Sequence, residues 1–281
     1  MSEKRSASRD EAPDTPDPRA AAGSTATQRL GPIACTLRWA ELLALYWVIP
    51  FLIDFRERWQ GRLLIPGLVV FGVVLFLWLW FDNRFDRRSL WNFAAFRREL
   101  PRIMLTSLLA FGVMIGFAWF VSEQSWAPVR TVLAQTPDGE TVTTQIVAVS
   151  PFVAVRYAPQ LILIICVLYP LFSVYPQEII LRTFFFHRYG PITGGGRWGT
   201  VAASALTFAW VHVLFVADKS DPLQWIPVYL CIPAGLLFGY TYMRTKSTIA
   251  SGFEHAVVGD CMWIAGLGWF FFAGGAVANG G

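Results

Sequence analysis

The chain alternates between long apolar runs and shorter polar connections. Each run is close to the length of helix that crosses a bilayer. The seven runs are residues 37–55, 63–81, 103–121, 159–187, 201–216, 223–243 and 249–272. Because a backbone in lipid must satisfy its own hydrogen bonds, the pattern predicts an all-α fold, a polytopic transmembrane helix bundle. Residues 264–278 either extend the last span or fold back as another, so we expect seven to eight helices.

The chain begins with a polar segment. Residues 1–32 hold five basic and five acidic residues and almost nothing that fills a core. This composition predicts a disordered cytoplasmic tail over 1–32, followed by the transmembrane bundle over 33–281. No apolar stretch directly follows the charged start, so the first apolar run is predicted to be an uncleaved signal anchor.

One connection between the apolar runs has a β pattern. Residues 128–149 contain TVLAQ, then TPDGE, then TVTTQIVAV, a β-branched alternation around Asp138 and Gly139. Asp-Gly between two such stretches favours a tight hairpin turn. We therefore expect a short hairpin on the exoplasmic side.

The composition agrees with a membrane protein. Hydrophobic residues make up 55% of the chain and charged residues only 15%, which disfavours a water-soluble fold. The formal charge of +4 comes from Arg and Lys between the apolar runs, so it predicts membrane topology and no nucleic-acid partner. The cysteines Cys35, Cys166, Cys231 and Cys261 lie in or beside apolar runs and are predicted to be small buried hydrophobes.

The positive charges predict the orientation. The tail and its alternate connections contain 15 Lys and Arg, against 6 on the other side. This excess predicts a cytoplasmic N-terminus, together with a cytoplasmic Arg-rich segment at residues 82–102. That segment is interpreted as an ordinary positive-inside loop or, alternatively, as an amphipathic stretch on an anionic leaflet.

Ionisable residues inside the apolar runs are the candidates for function. A charge in the bilayer interior costs at least about 2.5 to 3.5 kcal/mol, so such residues face the bundle and mark a site or a pairing. Glu178 and Arg182 are spaced to lie on one helical face, where the guanidinium holds the carboxylate ionised. The pair is either a structural ion pair or part of a site. Pro170 and Pro176 precede it and predict a kinked helix.

Two of the three histidines, His212 and His255, lie in different spans. Each alone is typical of a satisfied core histidine. With a rise of about 1.5 Å per residue, both lie at a depth similar to that of Glu178, nearer the cytoplasmic side. A carboxylate, an arginine and two imidazoles in a dry cavity are suited to activate a water molecule and to protonate a leaving amine.

Three short motifs carry a resemblance to a known family. QEIILR at 177–182 resembles EExxxR, and FAWVH at 208–212 resembles FxxxH. A third motif, HxxxN or HxxxD, begins at His255 but has Gly259 at its fourth place and Asp260 directly after. In this order and spacing the motifs resemble the CPBP (Abi) family of intramembrane proteases, which includes the type II CAAX prenyl endopeptidases.

The resemblance covers about residues 160–265, which we therefore expect to form the catalytic core. It implies a helical bundle and a glutamate-dependent protease that uses no metal or other cofactor. This chain has Gln177 where the family has the first glutamate of its pair, so Glu178 is the acidic candidate. Asp260 lies about 140° around an ideal helix from His255, and it replaces the missing side chain only if the helix bulges locally.

The leading hypothesis is an intramembrane endopeptidase that cleaves near the cytoplasmic side. Glu178 is the general base, assisted by His212 and held by Arg182. His255, with a polar neighbour such as Asp260, stabilises the oxyanion.

Two alternatives remain open at the level of sequence. Glu178, His212 and His255 form a two-histidine, one-carboxylate metal site in the first alternative. The second is a catalytically inactive membrane scaffold that binds peptides or lipids, which Gln177 and Gly259 favour. The expected partners are a membrane-associated peptide or protein substrate and the lipid bilayer. A bacterial inner-membrane location is expected from the simple tail.

Overall fold

A computed structural model of the chain describes residues 30–53, 64–125, 127, 129–135, 141–216, 220 and 222–271. The first 29 residues of the tail, and the Asp138–Gly139 turn, lie outside the described residues. So does the part of residues 264–278 that follows Phe271.

Eight α-helices and one hairpin make up the described chain. The helices are α1 (Pro32–Leu42, continuing through Leu43–Val48 and Ile49–Ile53), α2 (Leu64–Phe81), α3 (Phe93–Ser122), α4 (Val153–Tyr157), α5 (Pro159–Tyr189), α6 (Trp198–Val211), α7 (Ile226–Thr245) and α8 (Thr248–Ile264). Short 3₁₀ helices lie at Arg87–Leu90, His212–Phe215, Pro222–Trp225 and Leu267–Phe271. The predicted all-α helical bundle is confirmed.

Six of these helices, α1, α2, α3, α5, α6 with its 3₁₀ end, and α7, are long and apolar enough to cross a membrane. Helix α8 has 17 residues and packs among them, against α3, α5 and α7. The chain is thus a multi-pass membrane protein, as the apolar runs predict. The short α4 joins the hairpin to α5.

The strands of the hairpin are β1 (Val129–Gln135) and β2 (Thr141–Val147). They pair antiparallel, with Val129 opposite Val147 and Gln135 opposite Thr141. The hairpin predicted from the β-branched alternation is therefore present, although the residues of its turn lie outside the described range. It is a small addition to a helical fold.

Helix α5 is not a regular α-helix. It widens into π-helical turns at Pro170–Val174 and again at Ile179–Phe184. Pro170 and Pro176 lack a backbone N–H, so the usual ladder cannot continue through them. Single π-turns inside α-helices are frequent at functional sites. The prolines thus coincide with an irregular helix, and the second π-turn includes Arg182.

The two ends of the bundle differ in their connections. At the Arg-rich end, formed by residues 82–92, 190–197 and 246–247, the side-chain amide of Asn92 donates to the carbonyl of Thr245 (3.0 Å). At the hairpin end, the amide of Phe152 donates to the carbonyl of Ile264 (3.2 Å). These bonds put the start of α3 beside the end of α7, and the hairpin connection beside the end of α8.

The third histidine, His187, also lies at the Arg-rich end. Its Nε2 is 2.9 Å from Oδ2 of Asp82, and it joins the end of α5 to the end of α2. Because a carboxylate only accepts, the imidazole donates this bond, which holds the pKa of Asp82 below its usual range. Neither residue lines the cavity described below.

Small residues allow the motif-bearing helices to pack closely. A Cβ added at Gly235 of α7 would lie 2.9 Å from Cα of Ala205 on α6. A Cβ added at Gly72 of α2 would lie 2.9 Å from Cβ of Pro176 on α5. Membrane helices lack a hydrophobic driving force between them, so close van der Waals contact at small residues stabilises their association. The four cysteines are free, but only Cys231 is buried; Cys35, Cys166 and Cys261 are half-buried, so the predicted burial is wrong for these three.

Candidate active site

A buried carboxylate bonded to an imidazole forms the centre of the site. Oε1 of Glu178, on α5, lies 2.9 Å from Nδ1 of His255, on α8. Both side chains are buried. A carboxylate only accepts hydrogen bonds, so Nδ1 carries the proton and donates it. In the neutral ring Nε2 is then the atom with the free lone pair.

Arg182 lies behind the carboxylate. Its Nε is 3.8 Å from Oε2 of Glu178, and both side chains are fully buried. Nη1 donates to the hydroxyl of Ser204 on α6 (3.0 Å) and to the carbonyl of Leu181 (3.2 Å). Among the described residues, Oε2 of Glu178 and Nε and Nη2 of Arg182 have no hydrogen-bond partner. The ion pair is therefore loose compared with the 2.9 Å hydrogen bond between His255 and Glu178.

Aromatic rings surround the charged groups. The guanidinium of Arg182 lies 5.0 Å from the centroid of the Phe208 ring. The imidazole of His255 stacks on Phe238, with centroids 4.4 Å apart and planes 17° apart. The edge of Phe208 also meets His255, with centroids 5.4 Å apart. These rings exclude water and fix the orientation of the imidazole.

His212 occupies the first position of the 3₁₀ turn that ends α6. Its Nδ1 lies 2.6 Å from the carbonyl oxygen of Phe208. A carbonyl only accepts, so Nδ1 is the donor and Nε2 is left as an acceptor. The ring also meets Phe208, with centroids 4.6 Å apart. Phe208 thus lies in contact with both imidazoles and with Arg182.

A cavity of about 780 Å³ adjoins this group. Its walls are mainly apolar side chains of α2, α3, α5, α7 and α8. The polar side chains among the lining residues are Tyr169, Ser173, Gln177, His212 and His255. Glu178 and Arg182 are not among them. The two imidazoles therefore border the cavity, and the carboxylate lies behind His255.

Gln177 occupies the position of the first glutamate in the EExxxR motif. It borders the cavity, and its amide donates to the hydroxyl of Ser173 (2.8 Å) one turn earlier. The adjacent Glu178 points to the other side, toward His255. The motif thus puts one polar group into the cavity and one carboxylate behind the imidazole.

The cavity and the reacting pair lie at different depths, since Glu178 and His255 are not near the hairpin ends of α5 and α8. His212 is close to the hairpin end of its helix, and the cavity is lined there by Leu64, Phe215 and Trp263. Each of these three residues lies at or near the helix end away from the Arg-rich end. The cavity thus extends from the middle of the bundle toward the hairpin end, away from the predicted cytoplasmic loops.

Asp260 is not part of the group. Helix α8 runs as an α-helix from Thr248 to Ile264 without the bulge that would turn Asp260 toward His255. Asp260 is half-buried and does not line the cavity, and its Oδ1 has no hydrogen-bond partner among the described residues. The structure therefore unites Glu178, Arg182, His212 and His255, and leaves Asp260 apart.

Sequence reasoning missed Tyr169. Its hydroxyl oxygen is 3.3 Å from Nε2 of His255, and the residue borders the cavity. The same ring fills the space beside Gly259, the position where the third motif lacks its side chain. The absence of a side chain at Gly259 was the available signal, but the sequence does not indicate which residue of another helix fills that space.

The metal alternative finds no ligand cluster. Over the residues that the structure describes, no three His, Cys, Asp or Glu side chains come together in a group that could hold a metal ion. Nδ1 of each imidazole is already hydrogen-bonded, one to Glu178 and the other to the carbonyl of Phe208.

The fold and the site define a class. Membrane-crossing helices that join a buried carboxylate to an imidazole beside a cavity have the architecture of an intramembrane hydrolase. Residues 159–259 match the model of the family described as type II CAAX prenyl endopeptidase Rce1-like. Over these residues the chain is similar to the CAAX-type (CPBP) protease family, as the motifs implied, and the match supports a peptidase. Comparison with curated proteins and with solved structures gave no significant match.

Proposed function

We propose that the chain hydrolyses a peptide bond of a membrane-anchored substrate within the bilayer and that this activity depends on Glu178. The observation that supports the proposal is the 2.9 Å hydrogen bond between Oε1 of Glu178 and Nδ1 of His255. It joins an imidazole at the cavity to a carboxylate shielded from it. A carboxylate in this position fixes the tautomer of the imidazole and stabilises the imidazolium that forms when the ring takes a proton.

In this mechanism His255 is the general base. Its Nε2 takes a proton from a water molecule while the water oxygen attacks the carbonyl carbon of the substrate. The imidazolium then returns that proton to the leaving amine. Glu178 is a positioning residue, which differs from the direct role that the motif alone suggests. The reason is that its carboxylate is fully buried and lies outside the cavity lining.

His212 and Gln177 position the water. Nε2 of His212 is an acceptor because Nδ1 donates to the carbonyl of Phe208. The side-chain amide of Gln177 offers both a donor and an acceptor at the cavity. Two fixed hydrogen bonds orient a lone pair of the water toward the carbonyl carbon, which is a contribution of geometry to the rate.

The substrate is an apolar, membrane-anchored peptide. The cavity is lined mainly by aliphatic and aromatic side chains, which suit a lipid-modified or membrane-inserted segment. A prenylated C-terminal peptide is the substrate class that the matched family description names. Cleavage is proposed at the depth of His255, which lies midway along α8 at the inner end of the cavity. If the positive-inside prediction is correct, Glu178 lies nearer the cytoplasmic end of its helix.

The test is hydrolysis of prenylated and unprenylated C-terminal peptides by the purified protein in lipid nanodiscs. Glu178→Gln is expected to lower kcat by roughly 10² to 10⁴-fold with little change in KM, because the uncharged amide cannot stabilise the imidazolium. His255→Ala is expected to lower it at least as much. Assays are made at a temperature at which thermal unfolding shows each variant to be folded.

Glu254→Gln is the matched control. Glu254 is also a fully buried carboxylate and precedes His255 directly. It accepts hydrogen bonds from the hydroxyls of Thr241 and Thr106 and does not line the cavity. Full activity of Glu254→Gln beside a loss in Glu178→Gln supports the proposal. Parental kcat in Glu178→Gln contradicts it.

A chelator arm tests the metal alternative. Activity is expected to survive extensive dialysis against EDTA and 1,10-phenanthroline, because the proposed acid-base group consists of side chains alone. Loss of activity on chelation, with recovery when Zn²⁺ is added back, would favour the metal-dependent hydrolase instead.

A further inference from the structure

A tyrosine fills the space that the third motif leaves empty. A Cβ added at Gly259 would lie 2.5 Å from Cε1 and 2.6 Å from the hydroxyl oxygen of Tyr169. Side-chain atoms do not approach this closely, so Tyr169 in its present position requires glycine at 259. The ring belongs to α5 and packs against α8 at the position where the family motif has an asparagine or an aspartate.

The hydroxyl of Tyr169 is directed to the reacting group. It lies 3.3 Å from Nε2 of His255, the nitrogen opposite the one that Glu178 holds. The side chain borders the same cavity as His255 and His212. A carboxylate, an imidazole and a phenol are thus linked in one row that ends at the cavity.

We propose that the hydroxyl of Tyr169 stabilises the oxyanion in place of the side chain that Gly259 lacks. This inference rests on the proposed function, since it assigns a further catalytic residue to the same hydrolysis. The neighbouring Asp260 does not compete for the role, because its helix turns it away from the cavity.

The hydrogen bonds change partners during the step, and no proton leaves the tyrosine. In the free enzyme the phenol donates to Nε2 of His255. When water donates to Nε2 instead, the phenol is released and donates to the carbonyl oxygen of the substrate. That oxygen gains the electron pair of the carbonyl π bond as the water attacks, and the phenol hydrogen bond strengthens as the charge develops. The substrate oxygen loses this charge again when the C–N bond breaks and the carbonyl re-forms.

The first experiment removes only the hydroxyl. Tyr169→Phe keeps the ring beside Gly259 and is expected to lower kcat by roughly 10² to 10³-fold, the usual effect of losing one oxyanion donor. KM is expected to stay within about threefold. Tyr175→Phe is the control, since Tyr175 is on the same helix and its hydroxyl is buried with no hydrogen-bond partner among the described residues. Parental kcat in Tyr169→Phe, or an effect on KM alone, overturns the inference.

The second experiment exchanges the two positions. Gly259→Asn alone is expected to reduce activity and thermal stability, because the new Cβ collides with the ring of Tyr169. In a Tyr169→Ala background the ring is gone and the asparagine amide has room beside His255. In that background Gly259→Asn is expected to raise kcat at least about tenfold, because the asparagine amide replaces part of the effect of one oxyanion donor.

The decisive result is that Gly259→Asn lowers kcat in the parental protein and raises it in the Tyr169→Ala background. If the Tyr169 ring only fills space, no such reversal is expected. If Gly259→Asn raises thermal stability in the Tyr169→Ala background and leaves kcat unchanged, Tyr169 is a packing residue and the inference fails. Failure of the proposed function is recognised separately, by parental activity in Glu178→Gln or His255→Ala. Loss of activity in those variants with parental activity in Tyr169→Phe overturns this inference alone.

Discussion

At the residue scale, the site depends on charges that are buried in pairs. Glu178 and Arg182 are fully buried, and their closest charged atoms are 3.8 Å apart. The sequence predicted both their proximity and their shared face. The hydrogen bond from His255 to Glu178 was not predictable, because it joins residues 77 positions apart whose rotamers depend on the rings of Phe208 and Phe238.

This pairing leads to a prediction about stability. Arg182→Met is expected to destabilise the protein by about 3 to 5 kcal/mol, because it leaves the Glu178 carboxylate buried without a countercharge. The loss is measured by reversible SDS titration in mixed micelles. Adding Glu178→Gln removes the charge, so the double variant is expected to be more stable than Arg182→Met alone. A double variant that loses the sum of both single effects contradicts the ion pair.

The two departures from the family pattern have different structural outcomes. Gln177 is at the cavity, where a neutral amide replaces an acid, and the adjacent Glu178 supports His255 from behind. At Gly259 the missing side chain makes room for Tyr169. The sequence identified both positions, but only the packing of α5 against α8 relates the second to a residue 90 positions earlier.

At the scale of elements, close helix contacts hold the motif residues together. Helix α7 meets α6 at Gly235, where a Cβ would come within 2.9 Å of the backbone of Ala205. Helix α6 also carries Phe208, which contacts both imidazoles. The spacing of these helices therefore decides whether the two imidazoles share one cavity.

Gly235→Ala tests this contact. The substitution is expected to destabilise the protein by about 1 to 3 kcal/mol, because the helices must separate to admit one methyl group. Gly116→Ala on α3 is the control, since a Cβ there meets nothing within 4 Å. It is expected to leave stability unchanged or slightly raised, as alanine favours helix over glycine. Thermal unfolding in the same detergent compares the two, and an equal effect would show that the contact at Gly235 is unimportant.

The irregular course of α5 was only partly predictable. Pro170 and Pro176 indicate that the α-helical ladder is interrupted, since neither can donate a backbone hydrogen bond. They do not indicate how the chain adapts. In the fold it widens into π-turns at Pro170–Val174 and Ile179–Phe184. The wider turns change which side chains face a neighbouring helix, so the sequence indicated the Glu178–Arg182 pair but not which helices its neighbours contact.

At the scale of the whole molecule, the cavity lies toward one end of the bundle. The Arg-rich segment is at the opposite end, where Asn92 bonds to the carbonyl of Thr245. Which leaflet contains the cavity thus follows from the orientation of the chain. The positive-inside count predicts that the Arg-rich end is cytoplasmic.

Cysteine labelling tests the orientation. Asn83→Cys and Glu123→Cys introduce exposed thiols at opposite ends of the bundle, in a background with the four native cysteines replaced by alanine. A membrane-impermeant maleimide applied to intact cells is expected to label the cysteine at 123, and to label that at 83 only after lysis. The reverse pattern contradicts the predicted orientation and puts the cavity in the cytoplasmic half.

The sequence by itself determined the spans, the family motifs and the residue types of the site. Hydrophobic run length and the cost of burying charge act locally along the chain, so both are readable without coordinates. Only the tertiary structure decided which nitrogen of each imidazole is free, that Tyr169 fills the space at Gly259, and that Asp260 is left out. These features depend on side chains of different helices that meet at one depth, and the packing of neighbouring helices sets that depth.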